Sequence, residues 1–381
     1  MSSFVGALVI SKVLAAHLHS PYGSAMNDAI ILCEGKLATI TGKTARGLVR
    51  YSKKYDMVGV IDSTQAGRDA GEVVDGVKRN IPIFSSLDEA IKALGKKPSY
   101  LIIGVATIGG FLPKEFRPVI KRALSEGIDV IAGLHEFLGE DTEFVQAAKE
   151  GGAKIQDIRR EPPLHLMHKY QDLASKIDSV RIPVLGTDSA IGKRTTAVEL
   201  VESLNKRGVK TEFVATGQTG LLQGAKYGVP LDAIQGDYMV GELENAIYEA
   251  FINERPKVIV IEGQGSLTHP AYVCGTRAII SASRPSAIVL QHAPGRKYRN
   301  YDVSLKIPLP DLRKEMALME AYSGAPIIAL GINHEGLDPE KIDDVCERHE
   351  AMYGIPAVDI FKEGADRLAK AVIDRFPYLV D

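Results

Sequence analysis

The sequence contains few cysteines, and they form no metal-binding motif. Three cysteines, Cys33, Cys274 and Cys346, occur in 381 residues. None of them has the CxxC or Cys/His spacing that holds zinc, and a small, odd number of thiols is not typical of a disulfide-stapled secreted protein. We therefore expect no metal site and a reducing, cytoplasmic location.

Long apolar runs and an excess of one charge are also lacking. No stretch approaches the roughly 18 uninterrupted apolar residues of a membrane span. The N-terminal stretch MSSFVGALVISKVLAAHLHS is interrupted by Lys12, and histidines stand where a signal peptide needs small residues, so we expect an amphipathic or strand-like start. With 46 Lys+Arg against 48 Asp+Glu, the net charge of -2 gives no general attraction to nucleic acid or acidic membranes.

Strand-like and helix-like segments alternate along most of the chain, a pattern typical of parallel α/β architecture. A chain of 381 residues exceeds what one hydrophobic core usually organises, so we expect two domains. The alternation is lost around Pro162 and Pro163, which disfavour regular structure. We predict one α/β domain over 1–160, a linker over 161–180 and a doubly wound parallel sheet over 181–381.

The predicted strands cover 57–62, 81–84, 100–106, 129–133, 181–186, 209–216, 257–263, 287–293, 326–332 and 356–361. The predicted helices cover 87–94, 113–127, 142–150, 238–253, 311–323 and 338–353, and a further helix ends near Gly208.

The stretch GTDSAIGKRTTA, residues 186–197, predicts an anion site. It follows the apolar strand RIPVLG and leads into a helix, which is the context of a phosphate-binding loop. Backbone N–H groups and the helix dipole favour an anion there, and Lys193 adds a positive charge. The alternative is a glycine-containing turn with a solvated lysine. The predicted cofactor-binding residues are Gly186, Thr187, Asp188, Ser189, Ala190, Ile191, Gly192, Lys193, Arg194, Thr195 and Thr196.

Arg194 stands where a nucleotide-binding loop carries Ser or Thr. The hydroxyl at that position normally holds the magnesium of a bound nucleotide, and here the hydroxyls follow at Thr195 and Thr196. Because each helical residue is rotated by about 100° from the last, a later hydroxyl points elsewhere. Tight Mg-ATP binding is therefore in doubt, whereas a phosphate or pyrophosphate, such as those of coenzyme A, still suits the loop.

A second group of candidate catalytic residues lies in KVIVIEGQGSLTHPAY, residues 257–272. An apolar strand ends at Glu262, and ligands of open α/β sheets bind outside that end. Glu262 is a candidate general base or a ligand that orients a magnesium-bound water, and His269 is a second candidate for proton transfer. The alternatives are a capping carboxylate and a surface histidine.

Further polar residues follow other predicted strands. In QHAPGRKYRN, residues 291–300, Arg296, Lys297 and Arg299 suit a carboxylate or a second phosphate, although a solvated basic loop fits the composition equally. His135 in GLHEFLG is a candidate for the same crevice. Lys43 in TITGKTARG lacks the upstream glycine of a phosphate loop. The strand-to-loop segment at 61–72 has a Rossmann-like position but lacks the GxGxxG motif of a nicotinamide site.

Taken together, these stretches resemble a known family. VGVIDSTQAGRDAGEV, LIIGVATIGGFLP and GIDVIAGLHEFLGED resemble its Rossmann-like N-terminal domain. GTDSAIGKRTTAVEL, ATGQTG, IEGQGSLTHPAY and QHAPGR resemble its P-loop NTPase-like C-terminal domain, including the hydroxyl displaced from the position after the lysine. The family was long described as a domain of unknown function, and some members are D-glutamate N-acetyltransferases. The loop and IEGQG are also distantly similar to dethiobiotin synthetase.

The resemblance implies transfer of acetyl from acetyl-CoA to the amine of D-glutamate or a similar acidic amino acid. Under that reading the loop binds coenzyme A phosphates, and Glu262 or His269 deprotonates the amine. Arg296 and Arg299 hold the carboxylates, and backbone donors near Gly263 and Gly265 stabilise the oxyanion. We expect a small-molecule substrate, no nucleic-acid or membrane partner, and a homo-oligomer.

Two other functions remain open at this point. One is an ATP- and magnesium-dependent ligase or kinase of the dethiobiotin synthetase type, with magnesium held by Thr195 and Glu262. The other is a nucleotide-binding regulator without catalysis. Calorimetric titration with each ligand separates the first from the acetyltransferase, because tight binding of Mg-ATP without binding of coenzyme A would favour the ATP-dependent enzyme.

Overall fold

The computed structural model describes residues 27–380, which fall into two compact units. The first unit contains residues 27–132 and 138–156 of this described range. The second contains residues 133–137 and 157–380, so a short loop from the N-terminal half of the sequence belongs to it. The strand-like or amphipathic start predicted for the N-terminus lies outside the described residues.

The first unit is built on a six-stranded sheet in the order β3-β2-β1-β4-β5-β6. This is the strand order of a Rossmann-like doubly wound sheet, and strands β1 to β5 pair in parallel. The strands are β1 (Asn27–Leu32), β2 (Tyr55–Ile61), β3 (Ile83–Phe84), β4 (Tyr100–Ile103), β5 (Asp129–Ala132) and β6 (Ile155–Asp157). The helices are α1 (Lys43–Tyr51), α2 (Ala70–Asp75), α3 (Leu87–Leu94), α4 (Arg117–Ser125) and α5 (Thr142–Gly151).

Local capping sets the ends of the helices in this unit. The Ser86 side chain accepts a hydrogen bond from the backbone N–H of Glu89 at the start of α3, and Asp141 does the same for Phe144 in α5. Both helices end at a glycine in the left-handed conformation, Gly95 and Gly152. These caps explain why the predicted bounds of both helices agree with the structure to within one residue.

The acidic residue after β2 is used by the protein's own backbone. In a dinucleotide-binding Rossmann unit, an acid near the end of the second strand binds a ribose hydroxyl. Here Asp62 is fully buried, and its carboxylate accepts hydrogen bonds from the N–H groups of Gly35 and Leu37 at 3.0 and 3.1 Å. The carboxylate therefore holds the loop after β1 in place.

The second unit is built on a seven-stranded sheet in the order β13-β12-β11-β7-β10-β8-β9, and all of its paired strands are parallel. The strands are β7 (Val180–Gly186), β8 (Thr211–Ala215), β9 (Tyr227–Gly228), β10 (Val258–Glu262), β11 (Ile288–His292), β12 (Ile327–Ile332) and β13 (Ala357–Val358). The helices are α6 (Lys193–Lys206), α7 (Gln218–Gln223), α8 (Gly236–Glu254), α9 (Gly275–Ser283), α10 (Leu312–Ser323), α11 (Ile342–Tyr353), α12 (Ile360–Glu363) and α13 (Asp366–Arg375).

Helices cover both faces of this sheet. Successive side chains of a strand point to opposite faces, so Val184 packs with Leu200 of α6 and Leu368 of α13, whereas Leu185 belongs to the cluster on the other face. That second cluster includes side chains from α8 to α11, such as Ile247 of α8. The central strands are therefore buried on both sides, as their continuous apolar sequences require.

The prediction of two parallel α/β domains, Rossmann-like and then P-loop-like, is confirmed. Strands β1, β6 and β9 and helices α1, α2, α7, α9 and α13 were not predicted, and the predicted strand 356–361 was wrong beyond Val358, where α12 replaces its end. Residues 161–180 contain two short 3-10 helices, and buried Glu244 accepts N–H bonds from Gln171 and Leu173. None of the helices between residues 27 and 380 is both long and apolar enough to span a membrane.

Candidate functional site

The loop between β7 and α6 has the backbone of an anion cradle. It leaves the sheet at Gly186, and Gly192 precedes α6 with φ +100°, a conformation that glycine adopts without strain. Its N-cap residue, Gly192, has no side chain with which to cap α6. The N–H groups of the first helical turn and the positive end of the helix dipole therefore face the loop's concave side, where they favour an anion by about 0.3–1 kcal/mol.

Lys193 lies across this loop in a channel made by two glycines. Its side chain is buried, and a Cβ added to Gly186 would lie 2.8 Å from Lys193 Cδ. A Cβ added to Gly263 would lie 3.0 Å from the same atom and 2.0 Å from the carbonyl oxygen of Val184. Lys193 Nζ donates a hydrogen bond to the carbonyl of Asp188 at 2.5 Å, so the ammonium folds back over the loop.

Gly263→Ala is expected to lower the free energy of unfolding by about 1–3 kcal/mol, because the added methyl overpacks against the backbone of β7 and the Lys193 stem. Urea unfolding measures the change. Gly236→Ala is the matched control, since a methyl there, in the first turn of α8, meets no atom within 4 Å. Equal stability of the two variants would contradict the close packing around Lys193.

The loop is clamped from the β11 side by Arg296. Its guanidinium donates to Asp188 Oδ2 and to the carbonyls of Ser189 and Ala190, each at 2.9 Å, and to Glu335 at 2.6 Å. Ala190 has φ +50°, an unfavourable conformation for a residue with a Cβ, and the hydrogen bond to its carbonyl stabilises it. The donors of Arg296 thus bind protein acceptors. Its predicted role with a substrate carboxylate remains a prediction and would require it to release some of them.

Three hydroxyls of the loop contact groups of the protein itself. Thr196 Oγ1 donates to Gln291 Oε1 at 2.6 Å, and Ser189 Oγ donates to the carbonyl of Asn300. Thr187 Oγ1 lies 2.9 Å from Nδ1 of His292, whose pKa burial lowers to about 4. Thr195 is buried. The hydroxyls of Thr187, Ser189 and Thr196 are therefore engaged by protein groups, and the position directly after Lys193 carries no hydroxyl.

Glu262 ends β10 on the other side of the loop. Its carboxylate Oε2 accepts hydrogen bonds from the N–H groups of Thr216 and Gly217 at 2.9 and 3.2 Å. Burial raises the pKa of Glu262, and the positive charges of Arg194 and Lys193 partly oppose that shift. A carboxylate with a raised pKa is a stronger proton acceptor than an ordinary glutamate, which suits it to act as a base.

His269 is buried beside the loop, and the lone pair of its ring already accepts hydrogen bonds from the backbone. Nδ1 accepts hydrogen bonds from the N–H groups of Ala271 and Tyr272 at 3.1 and 3.2 Å, so the proton of the neutral ring lies on Nε2. Burial lowers the pKa of His269, which favours this neutral form. Nε2 lies 3.6 Å from Asp188 Oδ1, and neither atom has a hydrogen-bond partner among the described residues. The ring is thus arranged to donate a proton and not to accept one.

Arg299 is also buried and bound by protein groups. It donates to Ser266 Oγ at 2.7 Å, to Thr268 Oγ1 at 2.8 Å and to the carbonyl of Pro308. Burial lowers the pKa of this arginine. Arg299 therefore ties the segment after Glu262 to the basic loop. Its role with a substrate carboxylate also remains a prediction.

His135 lies in the loop 133–137 of the second unit. Its Nε2 is 3.7 Å from Asp232, which forms a bidentate pair with Arg159 at 2.6 and 3.0 Å. Burial and the charge of Arg159 lower the pKa of His135. A Cβ on the neighbouring Gly133 would strike the side chain of Gln218, the first residue of α7, so this loop reaches the strand-end region that holds Glu262.

The structure thus joins most of the predicted residues through short contacts. Gly186 and Gly263 flank the side chain of Lys193, whose charge acts on Glu262, and Arg296 and His269 both approach Asp188. Gly265 lies in the loop after Glu262 with φ +47°. Sequence reasoning did not single out Gln218, Gln291, Asn300 or the Arg159–Asp232 pair, although ATGQTG contains Gln218 and QHAPGRKYRN begins with Gln291 and ends with Asn300.

Comparison with known proteins identifies relatives of the whole architecture. Residues 168–369 match the family described as "Domain of unknown function (DUF1611_C) P-loop domain", and residues 63–161 match "Domain of unknown function (DUF1611_N) Rossmann-like domain". A crystal structure of a DUF1611 family protein from Anabaena variabilis superimposes with a TM-score of 0.83 and 31% identity, covering 91% of this chain and 99% of that one.

Two curated relatives carry an enzyme name. The D-glutamate N-acetyltransferase of Tritonibacter scottomollicae is 34% identical over 301 residues, which cover 78% of this chain and 87% of the relative. The D-glutamate N-acetyltransferase of a Pseudoalteromonas species is 29% identical over 286 residues, covering 74% of this chain and 83% of the relative.

Proposed function

The chain belongs to the DUF1611 family, and we propose that it is an N-acyltransferase that moves the acetyl group of acetyl-CoA to the amine of D-glutamate or a similar acidic amino acid. The names of the two curated relatives support the reaction class. The observation that carries the proposal is the juxtaposition of an anion cradle around Lys193 with the buried carboxylate of Glu262.

The cradle suits a phosphorylated cofactor. The N–H groups at the start of α6 and the ammonium of Lys193 would hold a phosphate or pyrophosphate of coenzyme A. Gly186 and Gly263 keep the channel open for the lysine stem, and Arg296 keeps the loop in its strained conformation. Acetyl-CoA, when bound, supplies an acetyl group activated as a thioester.

Glu262 is the base that the geometry favours. An amino acid carries an ammonium at neutral pH, and only the neutral amine attacks a carbonyl carbon, so a base must take one proton. The lone pair of His269 is occupied by two backbone donors, which leaves Glu262 for that role. The amine nitrogen forms the amide bond while the carbon–sulfur bond breaks, and the second proton of the nitrogen goes to the departing thiolate. Backbone N–H groups near Gly263 and Gly265 are the proposed oxyanion donors.

Arg296 and Arg299 act, in this proposal, through the loops that they hold. Each has protein acceptors around its guanidinium, so neither offers a complete fork to a substrate carboxylate without rearrangement. His135 contacts the Arg159–Asp232 pair near the same strand ends, and these three residues are candidates for contact with the amino-acid side chain.

A coenzyme A release assay tests the proposal. Purified full-length protein is mixed with acetyl-CoA and a panel of D- and L-amino acids, and the free thiol and the acetylated product are measured. We expect turnover with an acidic amino acid, highest with D-glutamate. No thiol release with any amino acid, together with formation of ADP from Mg-ATP, would favour the ATP-dependent alternative.

A further inference from the structure

The direction in which each side chain of the first turn of α6 points is fixed by its position in the helix. β7 lies between β11 on one side and β10 on the other. Thr196 reaches the β11 side, because its hydroxyl donates to Gln291 of that strand. Arg194 stands two residues earlier and is therefore rotated by about 200° around the helix axis, toward the opposite side.

The opposite side is where β10 presents Glu262. Among the charges that act on this carboxylate, that of Arg194 favours its ionised form more than that of Lys193. In a loop that reads Gly-Lys-Ser/Thr, the residue after the lysine supplies the hydroxyl that binds magnesium. In this chain Arg194 occupies that position, and the helical rotation directs its side chain toward the side of Glu262.

We propose that the guanidinium of Arg194 takes the place of the magnesium ion, so that the phosphates of the cofactor bind without a divalent cation. A guanidinium can donate two parallel hydrogen bonds to a phosphate and carries a permanent positive charge. It also balances Glu262, as a metal would, which keeps the carboxylate available as an acceptor. The choice of coenzyme A as ligand rests on the proposed function, whereas the replacement of the metal does not.

The test is calorimetric titration of the full-length protein with coenzyme A, in EDTA and in excess Mg²⁺. For the natural protein we expect the same dissociation constant in both. For Arg194→Thr, which restores a hydroxyl after the lysine, we expect binding about 10- to 100-fold weaker in EDTA, with part of the loss recovered in Mg²⁺. Lys206→Thr removes a positive charge from the exposed end of the same helix and is expected to change neither value.

Two results would overturn the inference. One is natural protein that binds coenzyme A tightly only with Mg²⁺, and the other is an Arg194→Thr variant that is folded by circular dichroism and binds normally in EDTA. If coenzyme A gives no heat, the proposed function fails and the same titrations are run with ATP. Binding of ATP in EDTA then supports the role of Arg194, and binding of ATP only with Mg²⁺, or of neither ligand, refutes it.

Discussion

Replacing Glu262 by Gln is expected to lower kcat by about 10²- to 10⁴-fold, the usual contribution of a general base. The amide oxygen of the glutamine still accepts from Thr216 and Gly217, so the site keeps its shape while the proton acceptor is lost. The KM for acetyl-CoA should change little, because the carboxylate is not part of the phosphate cradle. Steady-state kinetics with D-glutamate measure kcat and the KM for acetyl-CoA, and a thermal melt shows whether the variant remains folded.

The pH dependence gives this prediction a second readout. A base acts only when it is ionised, and burial raises the pKa of Glu262 above the ordinary value of 4.5. For the natural protein, kcat/KM should therefore fall as pH falls through that raised pKa, and the acidic limb should be absent from Glu262→Gln.

Glu249→Gln is the matched control for the loss of Glu262. Burial also raises the pKa of Glu249, but this residue lies within α8 and not at a strand end. We expect Glu249→Gln to leave kcat unchanged and to keep the acidic limb of the pH profile of kcat/KM. An active Glu262→Gln variant with the same profile as the natural protein would remove Glu262 from the chemistry.

Lys193→Ala is expected to weaken coenzyme A binding by roughly 2–5 kcal/mol, which is about 30-fold or more. The buried ammonium is the positive charge that lies directly over the loop, and its loss leaves the bound phosphate with backbone donors and Arg194. Calorimetric titration measures the dissociation constant. The KM for acetyl-CoA should rise in proportion if substrate dissociation is faster than chemistry.

Lys206→Ala provides the control, since it removes the same charge from the last turn of the same helix at an exposed position. Its binding should match that of the natural protein. A Lys193→Ala variant that bound coenzyme A normally while remaining folded would place the phosphates elsewhere.

The elements of the candidate site that could be predicted are those encoded locally. The strand–glycine–helix order around Lys193 and the apolar run that ends at Glu262 are each contained within about twenty residues, so periodicity and turn chemistry suffice to find them. Their proximity follows from the shared carboxyl edge of a parallel sheet.

The roles of the arginines could not be predicted in this way. Arg296 contacts Asp188 from 108 positions away, and no local pattern distinguishes a basic loop that binds a ligand from one that clamps another loop. The tautomer of His269 likewise depends on the backbone turn at 271–272, which places two N–H groups on Nδ1. Both facts depend on the folded path of the chain.

The missed elements of the fold have a similar cause. β1 is a short apolar run, NDAIIL, that lies in the centre of the first sheet, and nothing near it in the sequence marks it as central. β9 has two residues and depends on pairing with β8. The helix α12 begins directly after β13 because Asp359 caps it, and the apolar pair that follows the cap, Ile360 and Phe361, has the composition of a strand.

The central claim is that the turn at the start of α6 grips the phosphates of an acyl-carrying cofactor. A crystal structure of the protein with coenzyme A tests it most directly. We expect a phosphate within hydrogen-bond distance of the N–H groups at 190–193, with Lys193 Nζ moved from the Asp188 carbonyl to a phosphate oxygen. Coenzyme A bound elsewhere, with Lys193 still on that carbonyl, would contradict the account.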